Sequence, residues 1–181
     1  VRDPRVGRDV LIGVAAACLA NAISLILPAK ELTVMWAGAM TSIPLALAEV
    51  SSAFSRVIAD VIMPLIAFIL LRWLLRRDLL AAAAYVVLTG VIGARNPAAF
   101  AVWAVVGIIM VGVLLRFGVL AFAAFNAANA VLVILPVVWP FESWYAGATF
   151  LGIAIIVGLA TWGFVTSLAG RPIFHADLIE A

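Results

Sequence analysis

The sequence predicts an all-α polytopic membrane protein, a bundle of about six transmembrane helices with both termini on the cytoplasmic side. Two observations predict that class. Of the 181 residues, 67% are hydrophobic and only 11% charged, against roughly half apolar and about a quarter charged in soluble domains. Apolar surface on that scale cannot be hidden from water in one small core. The charges and prolines also fall between apolar runs near the length a bilayer requires, roughly 20 residues for a hydrocarbon core about 30 Å thick. No sizeable soluble domain fits beside such runs.

Each element follows from where those runs stop. Residues 1–9, with Arg2, Asp3, Arg5, Arg8 and Asp9, read as a cytoplasmic juxtamembrane segment of a longer chain. The first span covers Val10–Leu27 and ends at Pro28 and Lys30-Glu31. It follows basic residues as a signal peptide would, but it is longer than the 7–15 residues of a signal core and so reads as a first span or anchor. Residues 32–50 are apolar but broken by Thr41-Ser42, Pro44 and Glu49. They read as an outer loop or interfacial helix, with an extra span as the other reading.

The second span is Phe54–Leu75, closed by Arg76-Arg77-Asp78, and the third is Leu79–Gly93, with Ala94-Arg95-Asn96-Pro97 as its turn. From Ala98 to Val138 the chain is apolar apart from Arg116, Asn126 and Asn129, too long for one crossing. A hairpin bending at Arg116-Phe117-Gly118 resolves this, because glycine accepts the backbone conformations of a tight turn. Spans four and five are then 98–115 and 119–138. Pro136, Pro140 and Glu142 close the fifth, and Trp139, Trp144 and Tyr145 suit an interfacial aromatic belt. The sixth span is 146–168, followed by a cytoplasmic tail, 169–181. The bundle as a whole thus occupies 10–168.

Basic residues set the orientation. With the N-terminus inside, Arg2, Arg5, Arg8, Arg72, Arg76, Arg77, Arg116 and Arg171 are cytoplasmic, against Lys30, Arg56 and Arg95 outside. The expected location is therefore a cell inner membrane, with the bilayer as partner. The basic residues form no stripe suited to nucleic acid. Leu70-Leu71-Arg72-Trp73 recurs as Leu114-Leu115-Arg116-Phe117, 44 residues later. The pair fits either a duplicated hairpin or the common placement of arginine and an aromatic ring at an inner helix end.

Polar groups inside a bilayer are costly, so each is a candidate for function. Asn21 suits an interhelical hydrogen bond. Asn126 and Asn129, three apart, share a helix face and fit either a helix clamp or a small polar cavity. Arg56 and Asp60, four apart, suit an ion pair that Glu49 could join. Nothing catalytic emerges: GxSxG, HExxH and P-loop patterns are absent. Cys18 is the only cysteine and His175 the only histidine, so a cysteine-based or multi-histidine metal site cannot be assembled. Asp177 and Glu180 near His175 read as solvated tail residues. The expectation is a chain with no cofactor and no metal. Gly13 with Ala17, and Ala154 with Gly158, have the four-residue spacing that lets helices approach, within a bundle or between copies in a homo-oligomer.

Arg5 through Leu11, Leu70 through Ala81, Arg116 through Ala121, Trp144 through Gly147, Gly163-Phe164 and Ser167 through Phe174 are six segments that together resemble the multi-span membrane region of bacterial serine/threonine protein kinases of the acidobacterial type. Arg5-Val6-Gly7-Arg8-Asp9-Val10-Leu11 resembles the entry to their first span. Leu70 through Ala81, reading LLRWLLRRDLLA, is similar to their LLR-x-LLRR-x-x-LA stretch, and Arg116 through Ala121 to their RFGLLA. Trp144-Tyr145-Ala146-Gly147, Gly163-Phe164 and Ser167 through Phe174 resemble their C-terminal ending, with Ala169 where glycine is expected. The resemblance implies a non-catalytic anchoring and sensory region, with a cytoplasmic kinase domain N-terminal to it in the parent chain. It transfers no active site. A small multi-span permease, with a path past Asn126, Asn129 and the Arg56–Asp60 pair, is the alternative reading.

Overall fold

The computed structural model describes residues 3–25, 43–94, 96–135 and 146–168. These fold into six helices with no strand among the described residues: α1 Pro4–Ser24, α2 Ile43–Leu75, α3 Asp78–Gly93, α4 Pro97–Phe117, α5 Val119–Ile134 and α6 Ala146–Ser167. Four are long and apolar enough to cross a membrane, over Pro4–Ser24, Leu47–Leu75, Pro97–Phe117 and Thr149–Ser167. The other two, α3 and α5, are apolar but have 16 residues each, about 24 Å at 1.5 Å per residue.

The helix ends explain these lengths. α1 starts at Pro4 rather than near Val10, because Asp3 caps it: the carboxylate accepts from the Arg5 N–H at 2.9 Å, and Pro4 fills the first turn, where no N–H is needed. The segment expected to precede the first helix is therefore largely part of it. The same device opens α4, where Asn96 Oδ1 accepts from Ala99 N–H at 2.7 Å ahead of Pro97. α2 begins eleven residues before the expected Phe54, so 43–50 form its first turns rather than a separate interfacial helix; residues 32–42 lie outside the described residues. Pro44 sits in that first turn, where proline is accepted. The helix also runs unbroken past Pro64.

Between α2 and α3 the chain turns in two residues. Arg76 adopts a left-handed conformation (φ 53°) and its N–H bonds the Arg72 carbonyl at 2.9 Å. α4 and α5 are separated by Gly118 alone, at φ 87° and ψ −173°, a region reached essentially only by glycine and costing a residue with a side chain on the order of 1–3 kcal/mol.

α1 packs chiefly on α5 and α6, α3 on α4, and α2 on α5 and α3. Small residues set the first of these contacts. A methyl group at Gly13 would collide with the Ala121 carbonyl and the Phe125 nitrogen, and one at Gly7 with the backbone of Gly163, Thr166 and Ser167. Gly13 lies against Ala121–Phe125 while Asn21 reaches Asn129, so α1 and α5 run parallel. Gly7 lies against 166–167 and Gly163 against Val10 and Leu11, so α6 is antiparallel to α1. The first turn of α1 and the last turn of α6 thus share one end of the bundle with Gly118. The α2–α3 turn joins them there, since Ala81 and Ala82 pack with Val111 and Leu114 at the closing turns of α4.

Candidate functional site

Asn21 and Asn129 form the polar contact that ties two helices together. Asn21 Nδ2 donates to Asn129 Oδ1 at 2.9 Å and to the carbonyl of Ala17 one turn back, also at 2.9 Å. Both amide hydrogens are therefore used, one within α1 and one across to α5. The bridge sits where Ala17 and Ala20 of α1 and Ala128 of α5 are fully or nearly fully buried, so small neighbours bring the two amides within reach.

Asn126 does something different. It is buried, with 8% of its surface exposed, and its Nδ2 donates to the Phe122 carbonyl of its own helix at 2.8 Å. Of the two asparagines expected to share a role, one crosses to a neighbour and the other back-bonds. Three residues on a helix differ by about 60° in direction, and the rotation of α5 against α1 assigns each its partner.

The Glu49–Arg56 region is a relay through a residue the sequence did not single out. Ser52 Oγ donates to the Glu49 carbonyl at 2.8 Å and lies 3.5 Å from Glu49 Oε2. Arg56 Nη2 donates to that same Ser52 Oγ at 2.9 Å, and Nε reaches the Ser52 carbonyl at 3.4 Å. The guanidinium is thus engaged one turn toward the N-terminus, and Asp60, exposed one turn in the other direction, is not brought to it by any of these bonds. The signal that could have found Ser52 is its spacing, three after Glu49 and four before Arg56.

At the other end of α2, Arg72 Nε lies 2.6 Å from Asp78 Oδ1 and Nη2 lies 3.2 Å from Oδ2, a two-pronged pair across the α2–α3 turn. It closes a turn that has no glycine. Asp78 also opens α3, where a negative charge suits the helix dipole. Arg8 pairs with Asp9 at 2.9 Å.

Gly13 and Ala17 lie buried at the α1–α5 contact, whereas Ala154 and Gly158 are exposed on α6 and a methyl group at Gly158 would meet nothing. Cys18 is exposed on α1. Among the described residues no group of three or more His, Cys, Asp or Glu is arranged to hold a metal ion. His175, Asp177 and Glu180 lie outside the described residues. Hydrogen bonds, a salt-bridged turn and close backbone contacts therefore make up these polar sites, an arrangement that fastens helices together. Compared with known proteins, the chain matches no protein-family model, no curated protein and no solved structure.

Proposed function

We propose that this chain is a membrane-embedded, non-catalytic anchor of a receptor-like bacterial serine/threonine protein kinase, set in the inner membrane with both ends cytoplasmic. The observation that carries the anchor reading is the meeting of Gly7 with Gly163–Ser167. The two ends of the helical region leave the bundle together, so a domain attached before α1 is held beside the end of α6. The arginines favour that end as the cytoplasmic one. Arg5, Arg8, Arg72, Arg76, Arg77 and Arg116 all belong to helix ends or turns gathered there, and Arg56 alone among the described basic residues lies elsewhere.

The kinase assignment rests on the six resembling segments. A sensory role follows from the same assignment: signals reach the bundle through its outer segments or through the bilayer. Against the permease reading stand the bonds of Asn21 and Asn129 to each other, of Asn126 to Phe122, and of Arg56 to Ser52, which engage these groups in packing.

Phosphoryl transfer needs metal-binding acids, a phosphate-binding lysine and a base, and the one lysine here, Lys30, is assigned to the outer side. The purified 181-residue chain is therefore expected to show no ATP-dependent phosphorylation, and the parent chain truncated before Val1 to keep soluble kinase activity. Phosphorylation by the isolated chain overturns the proposal. Coding sequence upstream of Val1 is expected to hold a glycine-rich loop, an HRD and a DFG; an initiator methionine at or near Val1 favours the permease.

A further inference from the structure

We propose that the α2–α3 turn is a binding site for an anionic phospholipid, whose phosphate sits on Arg76 and Arg77 while its acyl chains lie along Trp73, Leu74, Leu79 and Leu80. The inference rests on the membrane reading above and adds which lipid the bundle selects and where.

Three features of the turn carry it. Arg72 is neutralised by Asp78, which removes the nearest carboxylate from play and leaves Arg76 and Arg77 with no side-chain partner among the described residues. Both are exposed, and they are consecutive, so one two-residue turn carries two positive charges. Finally, the residues flanking them on both helices are strongly exposed and apolar: Trp73, Leu74, Leu79 and Leu80. A pair of unpaired cations bordered by apolar side chains on both helices is matched by one molecule with an anionic head and apolar tails.

An acidic protein surface would satisfy the charges but would leave Trp73 and Leu79 without an apolar partner. A zwitterionic lipid would cover the apolar residues but would set its own cation against the arginines. The anionic lipid satisfies both. Arginine also holds a phosphate through two parallel N–H bonds.

The test uses the full 181-residue chain reconstituted in phosphatidylcholine vesicles doped with brominated phosphatidylglycerol or, separately, brominated phosphatidylcholine. Bromine quenches a tryptophan it touches. Trp73 is one of six tryptophans, so its own quenching is the difference between the wild type and W73F. With the attraction of two basic residues to a charged lipid surface acting together, phosphatidylglycerol is expected to be enriched at Trp73 on the order of thirtyfold. The preference should shrink at high salt. R76Q/R77Q is expected to reduce it to parity, and R76K/R77K to retain most of it, which separates lost charge from a disturbed turn.

Equal quenching of Trp73 by the two lipids in the wild type, or a preference that survives in R76Q/R77Q, overturns the site; the first leaves the arginines to an acidic protein partner. Absence of quenching by either lipid is a different failure, since it contradicts the membrane reading itself.

Discussion

α1 with α5, and α2 with α3, are two apolar regions of contrasting construction. Where α1 meets α5 small residues are wholly buried: Ala17, Ala121 and Ala128 are 0% exposed, beside the rings of Phe122 and Phe125 at 1%, and Gly13 admits the α5 backbone so closely that a methyl group would not fit. Over α2 and α3 most of the large apolar side chains point outward, with Leu79 82%, Trp73 78% and Ile92 77% exposed, and only a few, Phe68 and Tyr85 among them, turn inward. A protein folded in water buries its large apolar residues first. Here the closest helix contacts run through small residues beside a few buried rings, Phe122 and Phe125 among them, and many large apolar side chains form the exterior, which is the arrangement expected where the surrounding solvent is itself apolar and helix association depends on close packing.

The largest expected effect breaks or confirms that contrast at the exterior. Met63 is exposed midway along the apolar part of α2. On a water-facing surface Met63→Arg would alter stability by no more than about 0.5 kcal/mol, whereas at the centre of a membrane helix it costs about 2.5–3.5 kcal/mol of insertion free energy. Insertion efficiency of the helix in a translocation assay measures it, and an unchanged efficiency would break the comparison.

The next effect sharpens the interior side. Gly13→Leu places a side chain against the Ala121 carbonyl and the Phe125 nitrogen, which belong to backbone that cannot give way. We expect a loss at the upper end of the ~1–3 kcal/mol typical of overpacking, read from denaturant unfolding in detergent. Gly112→Leu is the control: it too replaces a helical glycine, but nothing lies within 4 Å of the added atom. Similar losses at both sites would mean that helix contact is not what Gly13 serves.

The smallest effect concerns the polar tie. A double-mutant cycle of Asn21→Leu and Asn129→Leu is expected to give a coupling of about 0.6 kcal/mol, the average for interhelical hydrogen bonds in a membrane. Pairing Asn21→Leu with Asn126→Leu should give none, since Asn126 bonds its own helix.

How far the sequence was legible varies by element in the same physical terms. The bend at Gly118 could be read because one glycine interrupts a long apolar stretch and the left-handed φ there needs it. Helix starts were harder. Asp3-Pro4 is a capping signal hidden among charges that look like a juxtamembrane segment, and the early start of α2 is masked by polar residues that read as a break. The location of the α2–α3 turn was plain from Arg76-Arg77-Asp78, but not its closure: three arginines lie within reach of Asp78 in sequence, and only the fold selects Arg72. Asn126 and Asn129 could be placed on a shared face, yet which of them meets α1 depends on the rotation of α5, which no local pattern encodes. Likewise Gly13–Ala17 and Ala154–Gly158 are equivalent as patterns, and only the packing turns one pair inward and leaves the other exposed.

Whether the bundle crosses the membrane and returns both ends to the cytoplasm, as proposed, is decided by topology reporters fused after Ala181 and after Pro97. Cytoplasmic activity is expected for the first fusion and periplasmic activity for the second, because α3 carries the chain from the arginine-rich end to the opposite one. Both reporters on the same side would contradict it.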